Sequence, residues 1–324
     1  MSIRALITGV NGFVGSHMLE LLLRHDVSVT GLGLRSLPLQ VKPTWRYMVC
    51  DLTDYPMVER ALCDGDFDVV VHLAGVGAAS IARSHPRDTL MANVAGTWNL
   101  LECLRQTQGN RLRRLVIAGS AQEYDSRGGA RLGEDAALAP DSPYGWTKCL
   151  QTSVARMYAA AYGLPIVVAR AFNLIGPGAR NGVCVELAQQ VVDIEAGRLA
   201  PCIWLKDPGI ERDFLDVRDA AQAFWALLQA PAVQNGEIYN VCSGQAISVA
   251  ELATLFHTQS HAPFTVGTVE PRPHREEPPR LCGDNSKLRA TTGWAPTTPL
   301  AQTITDILNA VRGEGSDTAR RESQ

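Results

Sequence analysis

The start of the chain limits its fold more than any other stretch. Ile3 to Thr8 is a short apolar run that reads as a buried strand. Gly9-Val10-Asn11-Gly12-Phe13-Val14-Gly15 follows, and then Ser16 to Arg24 sets Met18, Leu19, Leu22 and Leu23 at helical spacing. Glycines let the backbone turn tightly and approach a pyrophosphate, which then sits at the positive N-terminus of the helix. The spacing is Gly-x-x-Gly-x-x-Gly rather than Gly-x-Gly-x-x-Gly, and the absence of Gly-Lys-Ser/Thr excludes a nucleoside-triphosphatase loop. Gly9, Asn11, Gly12, Phe13, Val14 and Gly15 are therefore candidate cofactor-binding residues.

The alternation continues for about 150 residues and predicts an α/β fold, a doubly wound parallel sheet of the Rossmann type. Val27 to Gly31 reads as the second strand, a third ends at Cys50-Asp51-Leu52-Thr53 before a helix through Val58 to Leu62, and Phe67 to Leu73 is a fourth. Ligands of such sheets bind beyond the strands' C-terminal ends, where Asp51, Leu52, Leu73, Ala74 and Gly75 fall. Asp51 is expected to face the adenine or to cap the next helix. His72 is read as a hydrogen-bonded structural histidine. In the helix expected over Pro86 to Leu104, Asn93 and Thr97 either support the cofactor or satisfy neighbouring backbone. After the second strand, where an acid would hold an unphosphorylated ribose, Gly31-Leu32-Gly33-Leu34-Arg35-Ser36 has no acid and one arginine. Arg35 can pair with a 2′-phosphate, so NADP(H) is favoured and NAD(H) is the alternative.

Leu115 to Ala118, the fifth strand, delivers Gly119-Ser120-Ala121-Gln122-Glu123-Tyr124 to the same sheet edge, and further on comes Tyr144-Gly145-Trp146-Thr147-Lys148. A tyrosine and a lysine four residues apart share one helix face, where the ammonium is expected to lower the phenol pKa from its usual value near ~10. The spacing alone is common, and Ser120 supplies the context.

With 46% apolar residues, a chain of 324 buries a substantial core. Its net charge of −3 offers no basic face to nucleic acid. The eight cysteines are scattered without Cys-x-x-Cys or histidine pairing, so no metal site or disulfide framework is expected, and reduced thiols imply a cytoplasmic protein. The N-terminus enters a strand without the pattern of a signal peptide, and no apolar run approaches the ~20 residues of a membrane span.

Taken with the opening glycine loop, Ser120 and Tyr144-x-x-x-Lys148, several segments carry a resemblance: Asp51-Leu52-Thr53, His72-Leu73-Ala74-Gly75, Ala169-Arg170-Ala171-Phe172-Asn173-Leu174-Ile175-Gly176-Pro177-Gly178, Arg212-Asp213-Phe214-Leu215-Asp216-Val217-Arg218-Asp219 and Tyr239-Asn240-Val241-Cys242-Ser243-Gly244. From Ile3 to about Val311 the chain resembles the extended short-chain dehydrogenases that act on nucleotide sugars. Gly283-Asp284-x-Ser286-Lys287-Leu288 and Thr292-Gly293-Trp294 make it most similar to the bacterial GDP-4-dehydro-6-deoxy-D-mannose reductases, which make GDP-rhamnose.

The resemblance implies that hydride from NAD(P)H reaches C4 of a 4-keto sugar while Tyr144 protonates the alkoxide, Ser120 hydrogen-bonds the carbonyl oxygen and Lys148 holds the nicotinamide ribose. Tyr144, Lys148 and Ala171 thereby join the cofactor-binding residues. Ser120, Gln122, Asn173, Arg180, Arg212 and Arg275 are the candidate substrate-binding residues; Arg272 and Arg280 are rivals to Arg275. Dehydratases of the family have Thr-Asp-Glu where this chain has Ser120-Ala121-Gln122, and Ala121 supplies neither acid nor base. Fucose-type epimerase-reductases have a cysteine in place of Gln122 and a histidine after the Gly-Pro segment, where this chain reads Ala179-Arg180-Asn181-Gly182. A 4-epimerase holding NAD uses the same serine, tyrosine and lysine and is the main alternative; a non-catalytic NADP-sensing relative is more remote. The substrate is expected to be a nucleotide-diphosphate sugar, GDP-linked by preference, and the resemblance implies a homodimer through the helix of Tyr144. Residues 1–171 and 213–241 are expected to form the dinucleotide-binding domain, 172–212 and 242–312 a smaller substrate lobe, and 313–324 a disordered tail.

Overall fold

Strands that read as near-continuous Val, Ile and Leu are those a parallel sheet buries on both faces, and the chain uses them so. The computed structural model describes residues 3–35, 45–63, 65–107, 111–269 and 278–322, with side chains of the last helix described as far as Gly313. In chain order the elements are β1 (Arg4–Thr8), α1 (Phe13–Arg24), β2 (Ser28–Gly33), β3 (Trp45–Val49), α2 (Tyr55–Cys63), β4 (Val69–His72), α3 (Ala79–Ser84), α4 (Pro86–Leu90), α5 (Gly96–Thr107), β5 (Arg114–Ser120), β6 (Arg131–Leu132) and α6 (Pro143–Tyr162). They continue with β7 (Ile166–Ala171), β8 (Asn173–Ile175), α7 (Val183–Glu195), β9 (Cys202–Leu205), β10 (Glu211–Asp216), α8 (Val217–Gln229), β11 (Ile238–Val241), β12 (Ala246–Ser248), α9 (Val249–Gln259), β13 (Thr265–Thr268), β14 (Arg280–Gly283), α10 (Ser286–Thr292) and α11 (Leu300–Glu322).

Seven strands form one parallel sheet in the order β11-β7-β5-β4-β1-β2-β3. Alternate residues serve opposite faces: Ile7, Val71 and Val116 pack with Met18, Leu22, Phe224 and Leu227 of α1 and α8. Leu6, Val70 and Leu115 pack with Leu62, Leu100, Leu104 and Tyr158 of α2, α5 and α6. Each such side chain contributes about 1.5–3 kcal/mol on burial. From β1 the chain winds outward to β3 and then returns to β4 on the other side. The crevice of such a sheet opens at that reversal, between the ends of β1 and β4, where Thr8 is paired with His72.

A smaller lobe packs where β5, β7 and β11 end, its Leu132 and Leu281 against Ala121, Phe172 and Cys242. Its sheet runs β12-β10-β14-β6 with β8 also paired to β10, and α7, α9 and α11 close a separate core around Leu187, Val191, Phe256 and Leu308. Whereas the expected division falls at residue 213, β10 spans Glu211–Asp216 and pairs throughout with lobe strands, and β6 from the first segment joins the lobe's edge. The helix expected from Pro86 to Leu104 is interrupted by a π turn at Met91–Ala95, which turns Asn93 inward to full burial. The last helix continues to Glu322, into the segment expected to be disordered, as extending a nucleated helix costs less than starting one. No helix among the described residues is long and apolar enough to cross a membrane.

Candidate active site

The glycine loop is fixed by close backbone approach. Gly9 takes φ +70°, and a side chain there would meet the Ala74 backbone at 2.7 Å; one at Gly15 would meet the Gly9 carbonyl at 2.1 Å. Gly12 is the N-cap of α1 and no side chain caps the helix, so the helix end faces the crevice with Phe13 and Val14 in its first turn. This cradle fits a dinucleotide pyrophosphate. Across the crevice Leu73 N–H donates to the Thr8 carbonyl and Ala74 N–H to Thr8 Oγ1. Gly75, at φ +149°, lies so near Asn93 Oδ1 that a Cβ would sit 2.5 Å from it.

At the adenosine side β2 runs on to Gly33, two residues beyond the expected end, and the exposed Arg35 follows. Tyr47 on β3, which sequence reasoning missed, ties this corner together: Asn11 Nδ2 donates to its hydroxyl at 2.8 Å, and the hydroxyl donates to the Arg35 carbonyl. Asp51 accepts from Thr53 N–H and Oγ1 in its own turn; the cap of α2 comes instead from Asp54, which accepts from Met57 N–H. Leu52 is buried and its carbonyl receives the Asn99 amide. Asn93 binds Val76 N–H and carbonyl and donates to Thr147 Oγ1, so its side chain is spent on neighbouring structure.

The candidate catalytic set forms where β5 meets α6. Ser142 caps α6 with Pro143 in its first turn, and Gly145 allows the helix to sit on the Ser120–Gln122 turn, since a Cβ there would meet the Gln122 carbonyl at 2.4 Å. Tyr144, in the same first turn, is thereby brought to Ser120, which acts on its phenol. Tyr144, Lys148 and Gln151 share the buried face of α6. The ammonium does not act on the phenol as the spacing suggests: Lys148 Nζ donates to the Ala118 carbonyl at 2.6 Å and to Gln151 Oε1. Burial pushes the Tyr144 phenol up to about 12, against the Ser120 hydrogen bond, and pulls Lys148 down to about 8, against the attraction of Glu123. A phenol that stays protonated at neutral pH suits a general acid. Ala171 closes β7 beside Ser120, with which it is in register.

Two further groups brace this set. His72 is fully buried between Thr8 Oγ1 and Thr97 Oγ1, each at 2.7 Å, and burial, with Lys148 adding to it, lowers its pKa to about 3. It is thus the neutral structural histidine expected. Glu123 accepts from Ser120 N–H at 2.8 Å and pairs with Arg170 Nη2 at 2.8 Å, both side chains being essentially unexposed. The Arg170 guanidinium also lies over the Tyr124 ring, 4.5 Å from its centroid. Glu123 stands at capping-box spacing from Ser120, a signal legible in sequence that was not read.

The substrate-side residues are less assembled. Gln122 is exposed, and Ser142 Oγ donates to its Oε1 at 3.1 Å. Asn173 Nδ2 donates to the Asp213 carbonyl, and Arg180 is exposed. Arg212 lies in β10, and its Nη1 donates to the Glu211 and Pro278 carbonyls. Arg280 pairs with Glu211 at 2.9 Å. Arg275 and its rival Arg272 lie outside the described residues.

Comparison with known proteins places this geometry. The family model for GDP-mannose 4,6 dehydratase matches residues 6–307. GDP-6-deoxy-D-mannose reductase of Pseudomonas aeruginosa is 29% identical over 310 residues, covering 95% of this chain and 97% of its own. Among solved structures, RMD from Pseudomonas aeruginosa complexed with NADPH superposes with a TM-score of 0.82 at 27% identity, covering 97% of this chain and 100% of that one. The Thermus thermophilus UDP-glucose 4-epimerase complex with NAD gives a TM-score of 0.83 at 27% identity, covering 96% and 99%.

Proposed function

The chain belongs to the GDP-mannose 4,6 dehydratase family of nucleotide-sugar enzymes, and within it we propose that it is a reductase of a nucleotide-linked 4-keto-6-deoxy sugar, preferring NADPH. The substrate favoured is GDP-4-dehydro-6-deoxy-D-mannose, giving GDP-D-rhamnose, in line with the P. aeruginosa reductase it resembles. The observation that carries this reading is the carboxylate count beside Tyr144. Ala121 and Gln122 occupy the places of a dehydratase's acid and base, and the nearest acid, Glu123, is turned into β5 and β7 and consumed by Ser120 N–H and Arg170. The set can therefore give a proton to an oxygen, while elimination of water needs a further acid and base that these residues do not offer.

Gly9 to Gly15 and Arg35 would hold the dinucleotide, with Lys148 at its nicotinamide ribose. When bound, NAD(P)H supplies the hydride for the sugar carbonyl. Tyr144 gives its proton to the oxygen that develops negative charge, and the Ser120 hydroxyl donates a second hydrogen bond to the same atom. Lys148, while protonated, offers its remaining N–H to the nicotinamide ribose, so cofactor binding, and reduction with it, is expected to decline as pH rises through about 8. Homodimerisation is read onto α5 and α6, which expose Trp98, Trp146, Leu150 and Met157. A cytoplasmic location is read from the cysteines, all of which are unpaired.

The test is incubation with GDP-, dTDP-, UDP- and CDP-linked 4-keto-6-deoxy sugars and NADPH or NADH, followed by loss of reduced-cofactor absorbance. Turnover fastest with the GDP sugar and NADPH is expected. A second reading, 4-epimerisation with retained NAD, has the T. thermophilus neighbour in its favour; NAD carried through purification, with no turnover of added NADPH, selects it.

A further inference from the structure

We propose that Gln151 is the positioning residue of the catalytic lysine, aimed by Thr97 and His72 so that its amide oxygen receives the Lys148 ammonium; this rests on the reading of Lys148 given above. The direction of each hydrogen bond in the run from Thr8 through His72, Thr97 and Gln151 to Lys148 can be assigned. Thr97 has one hydroxyl proton, and it is given to the Asn93 carbonyl at 2.7 Å. Its oxygen can then only accept, and it does so from Gln151 Nε2 at 2.7 Å and from His72 Nε2 at 2.7 Å. His72 therefore carries its proton on Nε2. Because the buried ring is neutral, its Nδ1 is bare and accepts from Thr8 Oγ1, whose oxygen accepts in turn from Ala74 N–H.

Gln151 is left with one orientation. Its amide nitrogen must face Thr97, so Oε1 faces Lys148. Reversing the amide would set an acceptor against a hydroxyl whose proton is committed and a donor against an ammonium. With Gln151 Oε1 and the Ala118 carbonyl holding two N–H groups of Lys148, one of the ammonium's three protons remains for the site. The bonds run unbroken from the backbone beside the glycine loop to the catalytic lysine. The other titratable groups that bear on this ammonium are Glu123 on the turn after β5, His72 on β4 and Tyr144 one helical turn before it. Gln151 is the neutral member that sets where the ammonium points.

The experiment compares the full chain with Gln151→Glu, Gln151→Met and, as a control, Lys148→Met. It records the pH dependence of the NADPH dissociation constant by fluorescence, which needs no sugar, together with that of turnover and with the melting temperature. A carboxylate in place of the amide holds the proton on Lys148, with the Thr97 hydroxyl turning its proton from the Asn93 carbonyl to the second carboxylate oxygen, and methionine deprives the ammonium of an acceptor. The alkaline limb, near 8 in the wild type, should move up by about one pH unit in Gln151→Glu and down by a comparable amount in Gln151→Met. Melting temperatures should stay within about 5 °C of wild type, and the limb should vanish in Lys148→Met. Limbs that stay in place in both folded Gln151 variants, or that move the same way in both, overturn the role of Gln151 while leaving Lys148 its own. A limb that persists in Lys148→Met overturns the reading of the lysine and the inference with it.

Discussion

The two ends of the dinucleotide crevice are built on opposite terms. At the nicotinamide end Ser120, Tyr144, Lys148 and Gln151 are buried, and Lys148 and Gln151 are each fixed by two or more hydrogen bonds. At the adenosine end Arg35 and Asp51 are exposed: the one is anchored through its backbone by Tyr47, the other forms a local turn with Thr53. Burial is what permits the pKa shifts of Tyr144 and Lys148, because an exposed group is solvated in either protonation state. On the proposed reading the buried end carries the chemistry and should tolerate little substitution, while the exposed end should govern which cofactor is preferred and change without loss of the reaction.

The largest expected effect that would sharpen this contrast is at the buried end. Tyr144→Phe should lower kcat by about a thousandfold or more and leave the NADPH dissociation constant nearly unchanged; near-wild-type turnover removes Tyr144 from its role. Next comes Glu123→Ala, which strands the Arg170 guanidinium in the interior and should cost about 3–5 kcal/mol by urea unfolding. A loss below about 1 kcal/mol breaks the claim that this end depends on full partnering.

Arg35→Ala probes the exposed end. If its guanidinium pairs with the 2′-phosphate, the contact is worth roughly 1.5–3 kcal/mol, so the ratio of kcat/KM for NADPH over NADH should fall about ten- to a hundredfold, with no change in melting temperature. A native preference for NADH sinks that assignment. The smallest effect at neutral pH belongs to His72. Its folded pKa of about 3 lies below the usual value of 6.5, so the unfolded chain binds the extra proton between these values. Stability should be unaffected above 6.5 and should decrease as pH falls towards 3, and His72→Gln should flatten that slope in pH-dependent unfolding.

The features legible in sequence are those written in short-range spacing. The strand-glycine-helix opening, the apolar runs of β4 and β5, and Tyr144 with Lys148 on one helix face each occupy a single local period. What stayed hidden depends on contacts between distant segments. Arg170 meets Glu123 only because β5 and β7 are neighbours, and Gln151 gains its meaning from Thr97 on another helix. The π turn at Met91–Ala95 leaves no mark in apolar periodicity, yet it carries Asn93 to Val76 and Thr147. Nor does the sequence show that Arg212 lies within a strand and donates to the Pro278 carbonyl, 66 residues away. The four-residue spacing implies a pull of Lys148 on the phenol, but Gln151 and the Ala118 carbonyl take the ammonium instead.

The central claim is that hydride passes from an exchangeable cofactor to C4 of the sugar and that no other sugar carbon reacts. The measurement that tests it is reduction of GDP-4-dehydro-6-deoxy-D-mannose with NADPH deuterated at the transferred position, and in a second run with unlabelled NADPH in heavy water, each product read by NMR. One deuteron at C4 for every NADPH consumed, with none entering C3 or C5 from heavy water, is the predicted result. An unlabelled C4 in a product of changed configuration, or deuterium at C3 or C5, contradicts it.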